Sequence, residues 1–200
     1  MLEVEGFILV GGASVRMGLD KAGLKLGGRS FVERAAQGLA AITESIRLVG
    51  ARGDEAGMNS LTVIEDVYPG WGALGGLHTA LARARAPWAA VVACDLPFVT
   101  GELFVRLASL AENFDAVVPV QADGRLQPLC ALYARDPCAT LTQGLIAAGE
   151  RRPRALLELV RARLVAHTEL ADLHGSGLFF TNVNTPEDFE QARERMKDEG

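Results

Sequence analysis

The chain has 200 residues, of which 49% are hydrophobic and 22% charged, and its formal net charge is −5. That size and balance predict one globular domain over 1–200 and exclude an intrinsically disordered chain. The acidic surface argues against a bulk nucleic-acid partner, though a local cationic pocket remains compatible with it, and no apolar run approaches the roughly 18 residues that suggest a membrane span.

Residues 6–10 are a short apolar run stopped by Gly11-Gly12, which predicts a buried strand. The glycine-rich stretch 11–28 has no periodicity and is expected to be a loop. Ser30 with Glu33 three residues on forms a capping box and predicts a helix to about Ile42. Residues 46–49 and 61–64 read as strands. Leu74, Leu77 and Leu81 share one face of a helix over 73–84. The apolar run 88–93 is a strand ended by Cys94-Asp95-Leu96-Pro97, where proline blocks continuation. Thr100 caps a helix over 101–111.

Strands are expected at 116–120 and 129–133. Asp136-Pro137 is read as the cap and first residue of a helix to Ala148, stopped by Gly149. A short helix at 153–160, a strand at 164–166 and a last strand at 179–183 follow. Thr185-Pro186-Glu187-Asp188 opens the final helix with a cap, a proline and first-turn acids. Strands alternating with helices predict an α/β fold, three-layer α/β/α with a mostly parallel sheet.

In such sheets ligands bind beyond the carboxyl ends of the strands. Three polar segments fall at predicted strand ends: the loop after Val10, Asp95 after Ala93, and Asn184 after Val183. Asp66 lies just past a fourth. Gly11 and Gly12 let backbone amides approach phosphate oxygens, and Arg16 and Lys21 add two cations. The loop is neither a Walker A sequence nor the dinucleotide G-x-G-x-x-G, and a flexible glycine turn with solvated charges is the alternative. Asp95 is placed either to hold Mg²⁺ alongside phosphates or to serve as a turn residue. Asp66 precedes a stretch with four glycines in the seven residues 70–76. That stretch is either a close-approach site for a base or ribose or only a loop. Asn182 and Asn184 would share one face of the last strand and orient metal or substrate, or satisfy backbone at the corner.

The three histidines lack metal-ligand spacing. Cys94, Cys130 and Cys138 form no CxxC motif, which argues against a disulfide scaffold or zinc site and fits a reducing cytoplasm. Residues 1–5 show no basic leader, in keeping with a cytoplasmic location.

Taken in order, Leu-x-Gly-Gly-x-Ser-x-Arg-Met-Gly-x-Asp-Lys over 9–21, Glu65-Asp66 with 72–76, Cys94-Asp95-Leu96-Pro97, 129–133 and Asn182-Val183-Asn184-Thr185-Pro186 resemble the molybdenum cofactor guanylyltransferases. These are nucleotidyltransferases on a nucleotide-diphospho-sugar transferase-like fold. The resemblance implies transfer of GMP from GTP to the terminal phosphate of molybdopterin, with pyrophosphate released and Mg²⁺ required. It implies that Leu9, Val10, Gly11 and Gly12 line guanine and ribose and that Lys21 holds phosphate. Asp66 would bind the nucleotide, Asp95 the metal and phosphates, and Arg16 a phosphate or the pterin. Asn182 and Asn184 would lie near the pterin phosphate or metal.

Gly11-Gly12 matches the guanylyl branch, since the related cytidylyl enzymes usually carry Ala-Gly there. Val10 stands where the family usually has alanine, setting a larger side chain beside the base. Gly50-Ala51-Arg52 replaces an asparagine-containing turn, and Gln127 a common histidine. The alternatives are a CTP-dependent or sugar-phosphate nucleotidyltransferase, or a non-catalytic GTP- and cofactor-binding protein that delivers to molybdoenzymes or their chaperones. A monomer is expected.

Overall fold

The computed structural model describes residues 2–10, 24–50 and 61–198. Its centre is a seven-stranded sheet of β1 (Val4–Leu9), β4 (Ile46–Val49), β5 (Thr62–Ile64), β6 (Trp88–Ala93), β7 (Ala116–Pro119), β8 (Cys130–Ala134) and β9 (Ala162–Val165). The strand order is β5-β4-β1-β6-β8-β7-β9. Every neighbouring pair is parallel except the two that involve β8, which runs against both β6 and β7.

Side-chain alternation along β1 builds the two faces. Ile8 joins Leu39 of α1 (Phe31–Leu39) and Phe104 of α3 (Gly101–Ser109) on one side. Phe7 and Leu9 join Leu74, Leu77 and Leu81 of α2 (Gly72–Arg83) and Cys138 of α4 (Arg135–Ala147) on the other. The result is the expected three-layer α/β/α arrangement. No helix among the described residues is long and apolar enough to cross a membrane.

The α1 capping box is present: the Glu33 amide donates to Ser30 Oγ at 3.1 Å and the Ser30 amide to Glu33 Oε2 at 2.6 Å. The bond from the Ser30 amide to the ionised carboxylate, with the Ser30 hydroxyl second, holds the Glu33 pKa below its ordinary value. Thr100 caps α3, and Gly149, at φ +85°, follows α4.

Five expectations need correction. The stretch read as loop through Gly28 ends in a hairpin of β2 (Lys25–Leu26) and β3 (Arg29–Ser30). Its turn is Gly27-Gly28, both at positive φ, as a tight hairpin requires. Helix α4 begins two residues early, so Asp136 lies inside its first turn rather than capping it. The Arg135 amide already donates to the Pro87 carbonyl at 2.8 Å, and no side-chain cap is needed there. The helix expected over 153–160 is only α5 (Arg154–Leu157), and β9 starts earlier than expected.

The largest correction is at 179–183, which is not a strand. Residues 170–181 fold into successive turns, with amides donating to carbonyls three residues back at Leu173, Ser176, Leu178 and Thr181. Phe179 and Val183 are apolar because they are buried, not because they pair in the sheet.

Candidate functional site

The parallel strands β1, β4, β5 and β6 end at one edge of the sheet, and their pairing continues a residue further. The Val10 amide donates to the Val49 carbonyl at 2.8 Å, Gly50 to Ile64 at 3.2 Å and Cys94 to Leu9 at 3.1 Å. Val10, Gly50 and Cys94 therefore leave the sheet together, and Asp66 and Asp95 follow within two residues of their strands.

Leu9 and Val10 are each 8% exposed and pack into opposite faces of the core. Only their backbone faces the edge. The larger side chain of Val10 is thus absorbed by the core, contrary to the expectation that it crowds a base.

Gly50, which stands out in the sequence only as part of a replaced turn, has a structural reason to be glycine. It holds φ +84°, and a Cβ there would sit 2.5 Å from the Val10 carbonyl oxygen and 3.4 Å from Asp66 Oδ2. Glycine is needed both for the dihedral and for the close approach. Gly50→Ala is expected to cost about 2 kcal/mol of stability, lowering the melting midpoint by roughly 4–8 °C in a chain of this size. Gly149→Ala, with a similar φ but open space around it, should cost less. Equal losses would show that the approach to Val10 is not limiting.

Asp95 is half-buried, and its carbonyl accepts from the Val183 amide at 3.0 Å. Val183 is fully buried while its neighbours Asn182 and Asn184 are exposed. The two asparagines are thus brought to Asp95 by an anchored irregular segment rather than by a strand face. Behind them α6 (Pro186–Asp198) starts as expected: the Asp188 amide donates to Thr185 Oγ1, and the Asn184 and Thr185 amides both donate to Asp188 Oδ2 at 2.9 Å.

The structure so gathers Val10, Asp66, Asp95, Asn182 and Asn184 at one edge. Gly11, Gly12, Arg16 and Lys21 lie outside the described residues. The glycines of 70–76 divide in use. Gly75 lets α2 lie against Trp71, where a Cβ would come within 2.7 Å of the Trp71 Cβ, and Gly76 backs onto Leu9. Gly70 and Gly72 take positive φ facing open space, as turn residues. Trp71 packs against the core, and Arg151 lies 4.8 Å over its ring and donates to the Gly70 carbonyl.

The donor set suits Mg²⁺, which takes one or two carboxylates and fills the rest of its shell with phosphate and water oxygens. Among the described residues no three His, Cys, Asp or Glu side chains converge to hold an ion alone. Burial pushes the Cys130 and Cys138 thiols up to about 12, so these two do not offer a nucleophile.

A cavity of about 1070 Å³ lies elsewhere, between α1 and α3, with Arg34, Phe98, Val105 and Arg106 in its wall. Volume and chemistry disagree here. The strand-end residues, not the volume, identify the site, because the cavity wall carries none of Asp66, Asp95, Asn182 and Asn184.

A family model described as the MobA-like NTP transferase domain matches residues 6–168. A probable molybdenum cofactor guanylyltransferase of Pelotomaculum thermopropionicum is 34% identical over 193 residues, covering 96% of this chain and 93% of its own. One of Natronomonas pharaonis is 34% identical over 204 residues, covering 98% and 100%. Among solved structures, molybdopterin-guanine dinucleotide biosynthesis protein A from Archaeoglobus fulgidus superposes with a TM-score of 0.80 at 26% identity, covering 97% and 99% of the two chains. The 2-C-methyl-D-erythritol 4-phosphate cytidylyltransferase of Thermus thermophilus, at TM-score 0.69 and 19% identity over 98% and 100%, shares the fold.

Proposed function

The chain belongs to the MobA-like NTP transferase family, and from that premise we propose that it transfers GMP from GTP to the terminal phosphate of molybdopterin, releasing pyrophosphate. The observation that carries this reading is that Asp66, Asp95 and the Asn182–Asn184 segment all lie at the carboxyl edge of the sheet, where α/β folds hold their ligands. The end-to-end likeness to relatives named guanylyltransferases supports the choice of nucleotide and acceptor.

No side-chain nucleophile is required. A phosphate oxygen of the pterin attacks the α-phosphorus in line, a new P–O bond forms, and the bond to the β-phosphate oxygen breaks. Such transfers depend on positioning and on neutralising charge. Backbone at Leu9, Val10, Gly11 and Gly12 would line the base and ribose. Arg16 and Lys21 would hold phosphate oxygens and compensate charge on the leaving pyrophosphate. Asp95 would hold Mg²⁺, which when bound supplies further charge neutralisation at the phosphates, and Asp66 would bind the nucleotide. Asn182 and Asn184 would orient the acceptor phosphate. The reaction suits a cytoplasmic protein with free buried thiols.

The test is a thermal-shift titration with GTP and with CTP, each with Mg²⁺. At about 100 times its dissociation constant a ligand stabilises the native state by about 2.7 kcal/mol. GTP is expected to raise the midpoint and CTP to leave it unchanged, followed by pyrophosphate release when molybdopterin is added. A larger shift with CTP would move the chain to the cytidylyl branch. GTP binding without pyrophosphate release would favour the delivery role.

A further inference from the structure

Beside the two faces of the main core lies a third apolar cluster, made of Leu26, Phe31, Phe98, Val183 and Ala192. Its members come from segments that adjoin the site residues. Leu26 lies on β2, five residues after Lys21. Phe98 comes three residues after Asp95. Val183 stands between the two asparagines and donates its amide to the Asp95 carbonyl.

Helix α6 closes the cluster. Ala192 is fully buried in it, and Phe189 and Met196 pack against it, with the Phe189 ring 6.2 Å from that of Phe31. Arg34 ties the hairpin to the helix: its guanidinium donates twice to the Leu26 carbonyl, at 2.6 and 2.9 Å, and lies 3.0 Å from Met196 Sδ. The Phe31 amide donates to the Leu24 carbonyl at 3.2 Å, fastening the strand that follows the glycine loop.

We propose that this satellite cluster is a shared mount for the site and that α6 is its clamp, with Phe189 and Met196 as positioning residues. Close-packed side chains transmit a displacement. Loosening α6 therefore shifts the segment after Lys21, the turn after Asp95 and the asparagine segment together. No part of α6 need touch a ligand. The site assignment of Lys21, Asp95 and the asparagines rests on the proposed function.

The test compares the full chain with Phe189→Ala, Phe189→Leu and Met196→Ala, and with Leu156→Ala as a control. Leu156 is fully buried against the opposite face of the sheet. Residue-resolved hydrogen exchange is read at the amides of Phe31, Leu96 and Val183 in the free chain. GTP affinity is read at a temperature where all variants are folded. Phe189→Ala and Met196→Ala are expected to speed exchange at all three amides by more than tenfold and weaken GTP by at least fivefold. Phe189→Leu should restore both to within threefold of wild type, and Leu156→Ala should leave both unchanged. Faster exchange confined to α6, or equal effects of Leu156→Ala, would overturn the mount. Coupled exchange in a wild-type chain that binds no GTP would uphold the mount and refute the nucleotide reading instead.

Discussion

Asp95→Ala is expected to lower nucleotidyl-transfer turnover at least a hundredfold while the fold survives. A hundredfold is about 2.7 kcal/mol of barrier. That is a modest share of what a metal-holding carboxylate contributes when charge grows on a leaving pyrophosphate. The fold should tolerate the change because the Asp95 group that receives the Val183 amide is its carbonyl, which alanine retains. Pyrophosphate release under saturating GTP and Mg²⁺ measures the loss, and the melting midpoint measures the fold. A loss below about tenfold, roughly 1.4 kcal/mol, would remove Asp95 from the metal-holding role. Lys21→Ala should likewise weaken GTP severely, and an unchanged GTP dependence would take Lys21 out of the phosphate site.

The strand ends that make the site were readable because each is punctuated by residues with local consequences. Gly11-Gly12 follows the apolar run of β1 in the sequence, and Pro97 follows Asp95 too closely for β6 to go on. The capping boxes of α1 and α6 are legible for the same reason, since cap and partner lie three residues apart. Long-range facts were less accessible. Nothing within residues 129–133 says that β8 runs antiparallel. The only signal is the lack of a helix between β7 and β8, and parallel neighbours need such a crossover. Gly50 reads only as a replaced turn residue, because its need for glycine comes from the Val10 carbonyl, forty residues away. The stretch 179–183 was taken for a strand because burial in the satellite cluster writes the same apolar pattern as burial in a sheet. The asparagines still reach Asp95, by anchorage through Val183.

A second large effect is expected at the other end of β1, in Glu5. This carboxylate is only 5% exposed. It accepts from Ser45 Oγ at 3.1 Å and the Arg85 amide at 2.7 Å, and it forms an ion pair with Arg47. Arg47 in turn lies 4.9 Å over the Phe7 ring and donates to the Arg83 carbonyl at 2.6 Å. One carboxylate thus joins β1, the lead into β4 and the turn after α2. Glu5→Ala would strand a guanidinium whose side chain is 15% exposed and leave the Arg85 amide without its acceptor. Breaking a buried pair from one side costs about 3–5 kcal/mol, or roughly 10 °C in melting midpoint for a chain of this size. The surface pair Arg193–Glu190, broken by Glu190→Ala, should cost at most about 0.5 kcal/mol. Replacing both partners, Glu5→Leu with Arg47→Met, should recover most of the loss, because two apolar side chains leave no charge unpaired. A Glu5→Ala loss as small as that of Glu190→Ala would mean that water reaches the pair. Glu5 lies at the opposite end of β1 from Val10, so GTP affinity in the folded variant should stay within about twofold of wild type, which separates what holds the sheet together from what the sheet's carboxyl edge binds.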